Sequence, residues 1–383
     1  MNNSRRVLFL SHDAYRAGAT IFLLNMLTWL SRNTGLQFTT LLRKDGEMRP
    51  AFEALGPVAV LDATQPGRLR SFFGKRQTKV SPLQSYIDSG RYDLLYCNTI
   101  THGALFESLD LRGMPVITHV HELPSSVRRY AGGKAELLIH RSNAVIAVSE
   151  AVADHLRTSF KCDRDKFHRI YGFVPTDRTP STDAPTLRAR LLTPLGIAED
   201  AWVIGCCGMA DLRKGTDLLV ALATQMPTEV KGRTVHFVWV GARGTEYPPE
   251  VADDDVRLAG LETRVHFVGP TKQPLDWISL FDVHLLLARE DPFPLVVLEA
   301  ATQSVPTVCF AGAGGASEFT RDDAGVAVPY MNLAAMSSVL CNLLADDIRR
   351  KKLGATARAR VCNEHDASVV LPQVYKLISG LAR

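Results

Sequence analysis

Apolar runs of strand length recur along the chain and alternate with longer stretches of helical spacing. In the first half they are Val7–Leu10, Phe38–Leu42, Val58–Leu61, Leu94–Cys97, Val116–His119 and Ala144–Ala147. Between the first two, Ala19–Ser31 is a predicted helix with Ile21, Leu24, Met26 and Leu27 turned inward. Strands covered on both faces read as continuous apolar runs, so this alternation predicts a doubly wound parallel sheet flanked by helices. Residues 176–186, Thr-Asp-Arg-Thr-Pro-Ser-Thr-Asp-Ala-Pro-Thr, interrupt the pattern with turn formers and read as a linker. The pattern then restarts. Trp202–Cys206, Thr234–Val240, Val265–Phe267, Val283–Leu287, Thr307–Phe310 and Val326–Val328 are the expected strands, with helices expected over Asp217–Gln225, Leu295–Gln303 and Leu333–Leu344. Two α/β units of similar size, with a ligand cleft between their sheet edges, are the predicted architecture.

Composition leaves this picture in place: 383 residues, 46% of them hydrophobic and 22% charged, suit two globular domains. The seven cysteines form no CxxC pair and no metal-ligand spacing, which predicts reduced thiols. No apolar run reaches the roughly 18 residues of a spanning helix, and the N-terminus lacks a signal-peptide apolar region. A cytoplasmic protein is expected. Its charge is uneven: residues 1–180 hold 24 Lys and Arg against 16 Asp and Glu, and the remainder 20 against 24. The basic surplus is densest over residues 68–79, where Phe72 and Phe73 sit among five cations. Such a segment suits an anionic membrane surface, which would place the protein at the inner face of the membrane; it also reads as a solvated basic loop. No nucleic-acid-binding motif accompanies it, so no nucleic acid partner is expected.

The chemistry-bearing residues follow the strands. After Val283–Leu287 comes Asp291-Pro292-Phe293-Pro294, then Leu295-Val296-Val297-Leu298-Glu299, a strand-to-helix turn with one carboxylate in the turn and a second in the helix. The free N–H groups of Leu295 and Val296 at the helix start suit a phosphate, with Asp291 and Glu299 available to sugar hydroxyls on either side. After Trp202–Cys206 comes Gly208-Met209-Ala210-Asp211-Leu212-Arg213-Lys214-Gly215. Two cations just before a helix oppose its dipole, a conflict that a bound pyrophosphate would remove. In the first unit, Gly18-Ala19 opens a helix and would let a ligand approach the backbone, while His121 at the end of Val116–His119 is preferred over His119 as a group facing a ligand. The run Gly312-Ala313-Gly314-Gly315 reads equally as a ligand-contacting loop and as a flexible one.

Taken together these segments resemble the retaining nucleotide-sugar glycosyltransferases of family 4, also called group 1. The resemblance covers most of the chain and is strongest over about 203–330. It rests on an acid-x7-Glu signature at Asp291 to Glu299, with Phe293, Leu295 and Leu298 in register, and on Gly208 with Lys214-Gly215. It implies the GT-B fold, two facing Rossmann-like domains: 1–178 for the acceptor, joined by a crossover helix over about 365–383, and 187–364 for the donor. It also implies a donor site of Gly18, Ala19, Gly208, Arg213, Lys214, Val268, Asp291, Phe293, Pro294, Leu295, Val296 and Glu299. His121, Asp291, Glu290, Arg213 and Lys214 would carry the reaction. Either Glu290 or Asp291 would hold the donor sugar. Met209 stands where the family has a phosphate-binding arginine, and Arg213 is the substitute cation. The implied reaction moves a hexose from a UDP- or GDP-sugar to a glycan or lipid-linked acceptor, in cell-surface polysaccharide or glycolipid synthesis, with neither cofactor nor metal. A nucleotide-sugar epimerase of the same fold would act without an acceptor, and a non-catalytic binding protein would consume no donor.

Overall fold

The computed structural model describes residues 5–62, 81–160 and 163–382; the basic segment 68–79 lies outside them. Two compact units emerge, Met1–Tyr171 with Ala367–Arg383, and Gly172–Asp366. The first holds β1 (Arg6–Ser11), β2 (Gln37–Leu42), β3 (Val58–Val60), β4 (Leu94–Cys97), β5 (Val116–Val120), β6 (Ala144–Ala147) and β7 (Phe167–Arg169). They form one parallel sheet in the order β3-β2-β1-β4-β5-β6-β7. Strand β7 escapes the sequence pattern because Phe167-His168-Arg169 is too short and polar to stand out.

The helix Gly18–Asn33 buries Phe22, Leu23, Met26, Leu27 and Leu30. Its inner face is therefore rotated from the expected one, leaving Ile21 and Leu24 half-buried. The C-terminal helix Ala367–Leu381 packs on it, burying Val370, Leu371, Val374 and Ile378, so this helix has apolar neighbours on more than one side.

The second unit holds β8 (Trp202–Cys207), β9 (Glu229–Val230), β10 (Arg233–Val240), β11 (Val265–Gly269), β12 (Val283–Leu286), β13 (Thr307–Phe310) and β14 (Gly325–Val328). Six run parallel in the order β11-β10-β8-β12-β13-β14, and β9 pairs antiparallel with β10. Alternation splits the core into two layers. Trp202, Ile204 and Cys206 face one side with Phe237 and Trp239, and Val203 and Cys207 face the other with Val238 and Val240. Gly205 falls on the second side, where the Phe281 ring fills the space a Cβ would need, 2.1 Å away.

The first unit closes at Tyr171, seven residues short of the boundary at 178. Gly172 O accepts from His365 Nδ1 (3.0 Å), Val174 N–H donates to His365 O (3.1 Å), and Thr176 Oγ1 donates to Asp366 (2.6 Å), tying 172–178 to the second unit. The linker is ordered there as well. Ser181 donates through N–H and Oγ to the buried Asp276 (2.7 and 2.6 Å), and Asp183 caps the helix Ala184–Leu191.

Candidate active site

Strand order reverses between β8 and β12 in the second unit and between β1 and β4 in the first, and such switch points open a crevice at the carboxyl ends of the strands. The polar residues singled out by sequence follow those strand ends.

In the second unit the loop after β8 is fastened to the loop after β10. Gly208 N–H donates to Val240 O, Ala210 N–H to Ala242 O and Gly244 N–H to Ala210 O, at 2.8–2.9 Å, and Trp239 Nε1 donates to Gly208 O (2.9 Å). A Cβ on Gly241 would lie 1.9 Å from Gly208 O, so the two backbones meet only because residue 241 is glycine. The chain turns into the helix Thr216–Gln225 through Gly215, at φ 79°. This places Lys214 over Gly208 and toward β12. Its Nζ binds Asp291 Oδ2 at 2.5 Å, with both side chains almost wholly buried (12% and 10% exposed). Arg213 donates to Glu290 O (3.0 Å) and lies 3.9 Å from Asp291. Arg289, adjacent in sequence, makes a two-pronged pair with Asp217 in the first turn of that helix (2.9 and 2.7 Å). The dipole conflict read from sequence is thus met by carboxylates of the chain itself.

Asp291 is fixed by its backbone: its N–H donates to Ala313 O (2.8 Å) and its carbonyl accepts from Gly315 N–H (3.2 Å). The glycine run 312–315 therefore docks the turn that carries Asp291. Phe293 is buried against Gly172, with His365 stacked on it at 5.4 Å. Its ring holds the turn inside the unit. Pro294 then starts the helix Leu295–Thr302, which has no side-chain cap and no acid in its first turn, leaving the N–H groups of Leu295 and Val296 to an anion. Glu299 follows one turn later. Burial pushes the Cys207 thiol up and the Glu299 charge adds to this, while Lys214 opposes it, so both side chains come near the end of β8. Val268, half-buried in β11, packs on the second core layer, and Gly269 O accepts from Gly241 N–H (2.9 Å).

In the first unit Gly18 begins its helix exposed, and a Cβ there would touch nothing within 4 Å. Ala19 O accepts from Asn98 Nδ2 (3.0 Å), and Asn98 Oδ1 lies 3.1 Å from His121 Nε2. Because the asparagine oxygen can only accept, the His121 proton is on Nε2 and its lone pair on Nδ1. Burial, reinforced by His119 stacked at 4.4 Å, holds His121 well below the usual imidazole range, so the ring is neutral. His119 is wholly buried, with Nδ1 2.6 Å from the Tyr96 hydroxyl. Glu122 accepts from Thr99 Oγ1, from His121 N–H (2.9 Å) and from His12 Nε2 (3.4 Å). Burial works to raise its pKa, but these partners, His12 foremost, hold it below the ordinary carboxylate value.

Asn98, Glu122 and His12 escape sequence reading as site residues, although Asn98 and His12 directly follow β4 and β1 and Glu122 stands two residues past β5. Polar residues just past strand ends were the available signal.

Two family models match the chain, Glycosyltransferase Family 4 over residues 16–178 and Glycosyl transferases group 1 over 201–346. A D-inositol 3-phosphate glycosyltransferase of Xylanimonas cellulosilytica is 28% identical over 324 residues, 79% of this chain and 75% of that one. The lipopolysaccharide core biosynthesis mannosyltransferase LpsB of Rhizobium meliloti is 28% identical over 62% of this chain and 65% of its own. Among solved structures, Anabaena HepE in complex with UDP-glucose superposes with a TM-score of 0.83 at 21% identity, covering 98% of this chain and 99% of its own. WaaG, a glycosyltransferase involved in lipopolysaccharide biosynthesis, does so with a TM-score of 0.75 at 15% identity, covering 98% and 100%. With both halves matched and the fold shared, the chain belongs to the group 1, family 4 glycosyltransferases and has the GT-B fold.

Proposed function

We propose that the protein is a retaining hexosyltransferase that uses a nucleoside-diphosphate sugar, UDP- or GDP-linked, and a glycan or lipid-linked acceptor in cell-surface polysaccharide or glycolipid synthesis. The observation that carries the donor reading is the meeting of Arg213 and Lys214 with Asp291 beside the uncapped helix start at Leu295, at the switch point of one sheet, with Glu299 and Lys214 both near Cys207 at the end of β8. In this reading the two cations and the N–H groups of Leu295 and Val296 receive the diphosphate. Asp291, or its neighbour Glu290, takes hydroxyls of the transferred sugar, and Glu299 those of the ribose. The same donors bind more strongly as charge develops on the departing nucleoside diphosphate, which is where the rate enhancement arises. Asp291 and Glu299 belong to one turn and helix and do not flank a bond from opposite sides as glycosidase acids do, so the reading has the leaving phosphate assist deprotonation of the acceptor hydroxyl on the same face. Neutral His121, with its Nδ1 lone pair, accepts a hydrogen bond from a hydroxyl and is not an acid. No metal or cofactor enters the scheme.

Support for the donor class comes from HepE, solved with UDP and with UDP-glucose, and for the acceptor class from LpsB, which acts in lipopolysaccharide core biosynthesis; the inositol 3-phosphate glycosyltransferases put a small soluble acceptor into the same assay. The test is a donor-consumption assay over a panel of nucleotide sugars with glycan and lipid-linked acceptors. Acceptor-dependent release of nucleoside diphosphate, with the anomeric configuration kept in the product, is expected; epimerised sugar in the absence of acceptor would point to an epimerase instead. For localisation, no described helix is long and apolar enough to cross a membrane, and we place the protein in the cytoplasm, with residues 68–79 as its contact to the inner membrane face; a deletion of 68–79 that left vesicle binding intact would reject that contact.

A further inference from the structure

The Lys214–Asp291 pair has two unequal members. Asp291 is held by its own backbone on both sides, through Ala313 and Gly315, and its side chain is one-tenth exposed. Lys214 reaches it on four flexible methylenes that pass over Gly208, where its Cε comes within 3.5 Å of the position of a Cβ. An arriving diphosphate therefore attracts a cation that can turn and leaves behind a carboxylate that cannot follow. A buried carboxylate that loses its partner is strongly unfavourable unless other donors replace it. Arg213, 3.9 Å away and already bound to Glu290 O, covers it only in part. Sugar hydroxyls are donors of the right kind. A nucleotide sugar brings those of its transferred sugar to Asp291, whereas a free nucleoside diphosphate has only its ribose hydroxyls, which the donor reading gives to Glu299.

Resting on the donor reading above, we infer that Lys214 and Asp291 form an exchange pair: Lys214 passes from Asp291 to the diphosphate only when sugar hydroxyls take its place on Asp291. The pair thereby discriminates the donor from the leaving nucleoside diphosphate. It favours release of the spent nucleotide after transfer, because departure of the sugar strands Asp291 and draws Lys214 back.

Isothermal titration of the full chain with pyrophosphate, UDP, GDP, UDP-glucose and GDP-mannose tests this. Pyrophosphate reads the cations independently of the base. Asp291→Asn should bind pyrophosphate and the cognate nucleoside diphosphate about tenfold more tightly than wild type and lose the preference for the sugar-bearing form. In a Lys214→Gln background the same Asp291→Asn change should bring no gain, because the coupling runs through Lys214. An equal gain in both backgrounds would reduce the effect to removal of a nearby negative charge and overturn the exchange. So would an Asp291→Asn variant that binds the diphosphate no better than wild type. Wild type that binds none of the five ligands would remove the donor site and the exchange together, whereas wild-type binding without the variant's gain removes the exchange alone.

Discussion

Lys214 and Asp291 stand 77 residues apart and meet at 2.5 Å because the loops after β8 and β12 share one crevice. Sequence spacing marks both as candidates and is silent on their pairing, which changes what a substitution does. Lys214→Ala removes the proposed phosphate ligand and also strands Asp291, so it should lower stability by roughly 3–5 kcal/mol as well as abolish turnover. Lys214→Gln keeps a hydrogen-bond donor and is the cleaner probe. Glu299→Ala should abolish turnover with a melting temperature within about 3 °C of wild type, because one partly buried polar side chain contributes little to folding. Asn98 is the residue that sequence reasoning missed at most cost. It ties Ala19 O to His121 and sets the proton on Nε2. Asn98→Ala should reduce turnover by roughly 10- to 100-fold through misplacement of His121, with a stability loss of about 1–3 kcal/mol for the unmatched polar groups, measured by initial rates and denaturant unfolding. An unchanged rate would remove His121 from the reaction.

At the scale of elements, strands were legible because both faces of a parallel sheet are covered and the apolar runs are continuous. Their boundaries agree to within one or two residues at Leu94–Cys97, Ala144–Ala147 and Thr307–Phe310 among others. Strand β7 was illegible because three residues, two of them polar, carry no apolar run, and the rotated face of Gly18–Asn33 because it is decided by the C-terminal helix, a partner distant in sequence. Glycines sort in the same way. Gly241 has a steric reason inside the fold, at φ 153° with Gly208 O occupying the Cβ position. Gly18 has none. Gly241→Ala should therefore destabilise the second unit by a few kcal/mol. Gly18→Ala should melt as wild type or slightly higher, since alanine is the better helix former by about 1 kcal/mol. Loss of turnover in a normally melting Gly18→Ala would show that the glycine is kept for a ligand, and full turnover would release it from the donor site.

For the whole molecule, buried histidines set the acid limit. Burial lowers His102, His119 and His284 to about 3 and His236 to about 4. In the unfolded chain these rings titrate near 6.5, so between that value and the folded one the unfolded state binds more protons. Stability is then complete above about pH 6.5 and falls by about 1.4 kcal/mol per pH unit for each of His102, His119 and His284 as the pH drops toward 3, with a smaller loss from the less enclosed His236 that ends near pH 4. Glu122 acts in the same direction at lower pH, since its depressed pKa contributes stability that is lost as it is protonated. Melting temperature measured across pH 4–8 should decline steeply below about 6.5, earlier than carboxylate titration alone would produce; a flat profile down to pH 5 would contradict the burial of these rings. The two-unit α/β architecture could be read from the apolar runs, and the residues of the proposed donor site from their place after β8 and β12. Asn98 and Glu122 lie just past strand ends as well, but their contact with His121 was not legible, because it is set by the pairing of β4 with β5 and not by a spacing.

Transfer by the proposed route requires a nucleoside diphosphate seated on Arg213, Lys214 and the helix start at Leu295. A thermal-shift panel of nucleotides and nucleotide sugars on wild type and Lys214→Gln measures this directly, because a ligand that binds only the folded chain raises its melting temperature. At least one nucleotide sugar should stabilise wild type, and Lys214→Gln should lose most of that shift. No shift with any member of the panel, or an equal shift in both proteins, would contradict the donor site.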